Sequence, residues 1–357
     1  PNALELSEIR EFRTVDIVKR LGVISSNNIV IDKYPVNQPA SIFNPAMIVR
    51  GAEVDVYARI VLGYYKYVSA VIKFTIPLND IAEGNVSNGS YLSELILYPS
   101  IKEDIWGVED PRVTEVNGKL YMVYAGRTLN YFNSSTKYWK TLPIIAVSSD
   151  GNSWIKKYIP TLPKDLRNYL ISDKDAFIIK VGNEVILFHR PQLDVDGEDH
   201  YLVVSKLPKE VLLDNNGGHD PINDVVVLDT TLILKPAKFE FKLGWAAPPV
   251  EVKPCKYLVL IHGVDKYIEG YRVLAILLEY SSSEGFVPTA VTPYYIMEPK
   301  ANYEVFGDRP FVVFPCGLAR VDKDHAIISY GAADYVVGFG EININDVLSI
   351  LDKYRLE

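Results

Sequence analysis

A strand–turn–strand unit recurs five times along this chain, and a repeat of that kind constrains the fold more than any single motif. The first unit reads Asn44-Pro45-Ala46-Met47-Ile48-Val49, turns at 50–53 and returns as Val54-Asp55-Val56-Tyr57-Ala58-Arg59. The second runs from Asp110-Pro111-Arg112 through the turn Asn117-Gly118 to Tyr121-Met122-Val123-Tyr124. The third runs from Asp175-Ala176-Phe177 through Gly182-Asn183 to Phe188-His189-Arg190. The fourth pairs Pro249-Val250-Glu251-Val252 with the run from Tyr257 to His262, and the fifth pairs the run from Gly317 to Val321 with that from His325 to Tyr330. The residues closing the returning strands, Arg59, Arg127, Arg190, His262 and Asp334, are spaced by 68, 63, 72 and 72 residues. That period fits one four-stranded propeller blade with generous loops.

Further strand candidates at 144–148, 201–205 and 272–278 supply the outer parts of blades. The expectation is an all-β fold, a five-bladed β-propeller with short helices at the termini, forming one domain over residues 1–357. Helical spacing of apolar residues places those helices at about 4–21 and 344–354. A pair of β-sandwiches is the alternative, and it would not need five similar hairpins.

A hairpin brings the start of its first strand and the end of its second to one edge. Reading those ends off gives Asn44 and Arg59, then Glu109, Asp110, Arg112 and Arg127. The later repeats add Asp173, Lys174, Asp175, His189, Arg190, His262, Asp308, Arg309 and Asp334. About half are cations and half carboxylates, an expensive ring to build for stability alone, because buried charges cost free energy unless paired. Blade-to-blade ion pairing is the purely structural explanation. The functional one is sugar chemistry, with Trp106, Tyr131, Trp139, Phe306 and Phe339 as candidate aromatic platforms. Hydrolysis of a glycoside uses two carboxylates. Cleavage by phosphate needs only the acid, because phosphate brings its own charge, together with a cationic cradle to hold it. The ring offers both parts.

The formal net charge of −8 and the lack of a basic stripe argue against nucleic acid as a partner. No apolar run is long enough to span a bilayer, and residues 1–20 show no signal-peptide core, so a cytoplasmic location is expected. The two cysteines, Cys255 and Cys316, sit in apolar segments and read as buried thiols. Histidines at 189, 200, 219, 262 and 325 show no ligand spacing, so no metal is expected, and no glycine-rich phosphate loop precedes a helix.

Several segments, in order, resemble glycoside hydrolase family 130, the β-mannoside phosphorylases and related mannosidases. They are Asn44-Pro45-Ala46, Glu109-Asp110-Pro111-Arg112, Asp173-Lys174-Asp175, His189-Arg190-Pro191, Ala247-Pro248-Pro249, His262-Gly263-Val264, the run from Val313 to Gly317, and the run from Tyr330 to Asp334. The resemblance implies a five-bladed propeller and an inverting mechanism with Asp110 as general acid, its proton passing through a mannose hydroxyl. It implies that Asn44, Arg59 and Asp334 hold the mannose, and that Lys174, Arg190, His262 and Tyr271 hold phosphate. Glu109, Arg112 and Asp308 join the expected substrate-binding set. Two departures stand out: Asp175 occupies a place where some phosphorylases carry Asn, and Ile261 a place often held by Tyr. Asp175 is expected to offset its charge on Lys174.

The expected function is inverting phosphorolysis of a β-1,2- or β-1,4-linked mannoside to α-mannose 1-phosphate. Inorganic phosphate is the co-substrate, and no cofactor is needed. An inverting β-mannosidase, with Asp175 or Asp308 as base, is the second reading. A non-catalytic sugar-binding propeller is the third. Inserts after Arg127 and Pro160 are expected to shape the acceptor subsites, and the terminal helices are candidate contacts in a homo-oligomer.

Overall fold

The computed structural model describes residues 3–213 and 222–355. The chain is mostly β, arranged as successive antiparallel meanders. In the first, Ser41–Arg50 pairs with Glu53–Val61, followed by Ser69–Pro77 and Tyr91–Leu97, with Ile29–Ile31 at the outer edge. The second and third share a ten-stranded sheet. One half is Val108–Val116, Lys119–Arg127, Thr141–Ser148 and Ile155–Thr161. The other is Leu170–Val181, Glu184–Asp194, Leu202–Leu207 and Leu228–Leu234. A single parallel bridge, Ser172 to Thr141, joins the halves.

The fourth meander holds Lys256–Asp265, Tyr271–Ser281 and Gly285–Val291. Its innermost strand is split into Glu240–Trp245 and Val250–Lys253, both paired with Lys256–Asp265. The break falls on Ala246-Ala247-Pro248-Pro249, where two prolines remove ladder donors. The fifth meander is Val313–Arg320, His325–Ala332 and Val336–Asn343, completed by Lys19–Ile24 from the far end of the chain.

These strands are buried on both faces, which explains their long runs of β-branched and aromatic residues instead of strict alternation. Five hydrophobic clusters fill the spaces between meanders. Tyr57 and Met122 share one between the first and second, and Ile145 and Leu187 share one between the second and third. Phe188 and Trp245 share the next, Leu260 and Ile328 the fourth. The fifth cluster joins Val56 to Phe339 and so returns from the last meander to the first. Trp245 is fully buried between the third and fourth meanders, with Phe188 edge-on at 4.9 Å and its indole N–H donating to the carbonyls of His189 and Val203.

The expected N-terminal helix over 4–21 is a correction: only Ala3–Glu8 is helical. Beyond it the chain runs extended. The backbone N–H groups of Val15 and Ile17 donate to the carbonyls of Tyr295 and Ile296, and Lys19–Ile24 then pairs with Val336–Asn343. Arg10 is drawn into a buried ion pair with Glu240 at 2.6 Å, and Arg20 into another with Glu304 at 3.1 Å. These long-range partners override the local helical spacing. At the other end Ile344–Lys353 is helical, its start capped by the Asn343 side chain, with Val347 and Leu351 in the core. Cys255 is a second correction: it is exposed in the turn before Lys256–Asp265, while Cys316 is buried, and neither forms a disulfide. No helix among the described residues is long and apolar enough to cross a membrane.

Candidate active site

Three of the meanders present their inward polar residue through the same local device. The ladder slips between Phe43 and Ala46, between Glu109 and Arg112, and between Lys174 and Phe177. In each slip sits one left-handed residue: Asn44 at φ 49°, Asp110 at 53° and Asp175 at 54°. A non-glycine residue held there costs about 1–2 kcal/mol, and Asn and Asp tolerate it best because their short side chains bond locally. A bulge re-aims a side chain, and such strain gathers at functional sites. Here it turns three polar side chains into one cavity. Asp334, at φ 49° beyond the end of His325–Ala332, joins them from the fifth meander.

The cavity has a volume of about 550 Å³, within the range of small-molecule sites. Asn44, Arg59, Glu109, Asp110, Asp308 and Asp334 line it, as do Lys174, Asp175, Arg190, His262 and Tyr271. Of the residues expected to act on mannoside or phosphate, the structure gathers all but one; of the wider ring of hairpin-end residues, Arg127, Asp173 and His189 also lie outside the lining. Arg112 is the exception and a correction: it lies beneath the floor, 1% exposed, donating to the carbonyls of Ala246 and Trp245 and facing Asp175 at 3.4 Å. It supports the floor and does not line the cavity. His189 is likewise structural, held between Asp173 at 2.8 Å and Ser205 at 2.7 Å.

Around Asp110 the groups are paired. Its Oδ1 accepts from the Asn44 amide and from Arg59, both at 2.8 Å. Burial alone would raise the Asp110 carboxyl, but Arg59, Arg112, Asn44 and Lys174 outweigh it and hold it below the usual value. Glu109 accepts from the Tyr131 hydroxyl at 2.7 and 2.8 Å and sits 3.3 Å from Arg59. Asp334 differs: burial, with Asp110 and Asp308 nearby, pushes its carboxyl up to about 6 against the pull of Arg59 and Arg309.

Across the cavity lies a cluster of cations. Asp175 was expected to pair with Lys174, and the structure corrects this. Its carboxylate faces Arg190 at 3.0 Å, His262 at 3.2 Å and Arg112 at 3.4 Å. Burial opposes its ionisation, yet Arg190, His262 and Arg112 hold it well below the usual carboxylate range. Lys174 is left without a carboxylate at ion-pair distance among the described residues. Burial lowers its pKa against the pull of Glu109 and Asp110, with Arg127 and Arg190 adding to the lowering.

Lys242 is a charged lining residue that sequence reasoning missed. It lines the cavity from Glu240–Trp245, and burial together with Arg190 and Lys174 pulls its pKa down to about 7. Its strand fragment could have been found by following the fourth inner strand back through the proline break. The buried Nδ1 of His262 has no hydrogen-bond partner, and neither has Oδ1 of Asn44. Gly244 keeps the floor tight: any side chain there would strike His262 and Asp175. His200, expected in a loop, ends the short strand Glu198–His200 and contacts Arg190 at 2.5 Å. His219 lies outside the described residues.

Of the expected aromatic platforms only Tyr131 lines this cavity. Phe339 is core, Phe306 is exposed outside the lining, and Trp106 is not in it. Trp139 lines a separate, larger cavity of about 1010 Å³ under the 128–140 loop. No cluster of three metal-binding side chains occurs among the described residues.

One cavity thus holds carboxylates on one side and a cluster of cations on the other. The sequence model described as β-1,4-mannooligosaccharide phosphorylase matches residues 8–353. The chain belongs to glycoside hydrolase family 130. As a member it is an enzyme of a family acting on mannosides. It is 27% identical over 323 residues to a β-1,2-mannobiose phosphorylase of Thermoanaerobacter sp. (strain X514), covering 85% of this chain and 90% of the relative. A 1,2-β-oligomannan phosphorylase of the same strain is 25% identical over 320 residues, covering 86% and 92%. The solved structure of a β-1,2-mannobiose phosphorylase from Listeria innocua, in complex with β-1,2-mannobiose, superposes with a TM-score of 0.66. It is 16% identical and covers 94% of this chain and 97% of that one. This last likeness bears on the fold.

Proposed function

We propose that this enzyme cleaves β-mannosides by inverting phosphorolysis, releasing α-mannose 1-phosphate, with the β-1,2 linkage of its two Thermoanaerobacter relatives as the leading candidate. The observation that carries the reading is the unpaired cationic cluster. Lys174 and Lys242 line the cavity half-buried near Arg190 and have no carboxylate at ion-pair distance among the described residues. Like charges gathered in this way repel, and a bound phosphate would relieve them by supplying charge-assisted hydrogen bonds. The unpartnered His262 Nδ1 and the Tyr271 hydroxyl are placed to add to that cradle.

Asp110 is the proposed acid. In the empty site Arg59 and Asn44 favour its charged form. A phosphate anion among Lys174, Arg190 and Lys242 would oppose that charge and favour the protonated carboxyl. Phosphate entry thus loads the acid, which protonates the departing sugar through a mannose hydroxyl. Asn44, Arg59, Glu109, Asp308 and Asp334 hold the mannose. No second carboxylate is needed as base, and Asp175, locked by three cations, is poorly suited to be one. Hydrolysis with Asp175 as base is disfavoured on that ground.

The five-bladed propeller is also our inference. It is supported by five meanders and five intervening clusters, the last of which returns to the first meander. It makes the cavity axial, where residues from all five repeats meet.

The test is a panel of β-1,2- and β-1,4-mannobioses and mannosyl-glucose incubated with phosphate. The ester formed is then identified by ³¹P NMR. α-Mannose 1-phosphate from one linkage supports the reading and fixes the specificity. Its absence from every tube overturns it.

A further inference from the structure

Arg190 lines the cavity between two fixed partners, and one of them, His200, has no part in the proposed reaction so far. The Arg190 Nε donates to Asp175 at 3.0 Å, and its Nη1 donates to Nδ1 of His200 at 2.5 Å. Its other terminal nitrogen, Nη2, has no hydrogen-bond partner among the described residues. A guanidinium is planar, and its five N–H bonds leave in fixed directions. Anchors at two of its nitrogens therefore set the plane, and the third nitrogen is aimed before a ligand arrives.

His200 is itself held in place. It closes the three-residue strand Glu198–His200, which pairs with Gln192–Asp194 at the end of the strand that carries Arg190. Lys137 bridges Asp194 at 2.7 Å and Glu198 at 2.8 Å, tying that hairpin to the 128–140 loop. The imidazole meets Phe241 edge-on, with ring centres 5.8 Å apart, and Phe241 precedes Lys242 in the fourth meander. The ring lines a neighbouring cavity of about 580 Å³ and not the catalytic one, so it reaches a ligand only through Arg190.

The donor fixes the chemistry of the contact. Arginine can only donate, so Nδ1 of His200 carries the lone pair and the ring proton sits on Nε2. Burial, with Arg190 and Lys242 nearby, pulls the His200 pKa down to about 2, so the ring is neutral near pH 7. A neutral acceptor orients the guanidinium without cancelling its charge. A carboxylate in that place would also orient it, but it would subtract one charge from a cluster in which Asp175 already faces Arg190, His262 and Arg112.

We propose that His200 is a positioning residue for the attacking anion: by accepting from Nη1 it turns Nη2 of Arg190 toward phosphate and leaves the positive charge of the cluster intact. This rests on the phosphorolysis reading for the role of the anion. His200 touches neither sugar nor phosphate, and its whole effect passes through one guanidinium.

The experiment compares wild type with His200→Leu, His200→Asn and His200→Asp. Two readouts are taken: calorimetric binding of inorganic phosphate, and initial rates against phosphate and against mannoside. His200→Leu removes the acceptor and should raise both the Kd and the KM for phosphate at least about tenfold, with the KM for mannoside little changed. His200→Asn places its Oδ1 where Nδ1 stood and should restore most of the loss. His200→Asp keeps an acceptor but adds a negative charge, and should not restore it. Should His200→Leu fail to fold, the Asn and Asp variants decide the matter, because they match in size and differ in charge. If wild type yields no mannose 1-phosphate, the phosphorolysis reading fails, while tighter phosphate binding by wild type and Asn than by Leu and Asp still supports His200 as the positioning residue of an anion site. Wild type that binds no phosphate overturns the proposal. So does a Leu variant that binds it as wild type does, an Asn variant no better than Asp, or an equal rise in the KM for mannoside.

Discussion

The two sides of the cavity solve opposite electrostatic problems. Around Asp110 the central charges have counterparts: Arg59 meets both Asp110 and Glu109, and Asn44 and Tyr131 donate hydrogen bonds to them, while Asp334 nearby is held partly neutral by burial. Across from it the half-buried Lys174 and Lys242 have no carboxylate at ion-pair distance among the described residues, Glu109 and Asp110 acting on Lys174 only from farther off, while Asp175 is already shared among Arg190, His262 and Arg112. A satisfied network fixes geometry without a ligand. An unsatisfied cationic one stores a cost that only an incoming anion removes. On the proposed reading the first side positions a neutral sugar and the proton, and the second binds the anion that attacks it.

The contrast can be broken most sharply at Asp110. Asp110→Asn keeps the size and one acceptor but removes the proton, and should cut turnover by about 10²–10⁴. Mannoside binding, measured by calorimetry, should persist. A variant with a tenth of normal turnover would remove Asp110 from the acid role. On the other side, Lys242→Met should raise the KM for phosphate by about 10–100-fold, the value of one charge-assisted hydrogen bond, and change the KM for mannoside little. Equal effects on both substrates would mean that the two sides are not separate.

The pH profile refines the same point. Lys242 loses its proton near pH 7 in the free enzyme, so kcat/KM for phosphate should bend downward as pH rises through about 7. Lys242→Met should lack that bend, whatever phosphate's own ionisation contributes, because both proteins meet the same phosphate. The smallest effect is on stability. The folded-state pKa of Lys242 lies below its unfolded value, so its charge opposes folding below pH 7, and the cost fades as pH rises toward about 10.4. Without phosphate, Lys242→Met should therefore melt above wild type, with the gap widest below pH 7. Saturating phosphate should narrow or reverse it.

Much of this was legible in the sequence for a physical reason. Two-residue periodicity and turn chemistry are local, so the hairpins and the residues at their ends could be read directly, and Asn44, Asp110, Lys174, Arg190 and Asp334 follow from position alone. What failed was non-local. Residues 9–21 carry helical spacing, yet backbone bonds to Tyr295 and Ile296 and the ladder to Val336–Asn343 hold them extended. Lys242 was hidden because the prolines at 248 and 249 divide its strand, and the second fragment looked like the beginning. Arg112 sits in the same short motif as Asp110, but the bulge that turns Asp110 inward sends Arg112 below the floor. The sequence order of a motif does not reveal that reversal.

The central claim is that phosphate is the attacking group, and a phosphate titration of the initial rate tests it most directly. With saturating β-mannoside, the rate of bond cleavage should rise hyperbolically with phosphate from a value near zero, matched mole for mole by mannose 1-phosphate. Free mannose released at a rate independent of phosphate would contradict the account and make water the nucleophile.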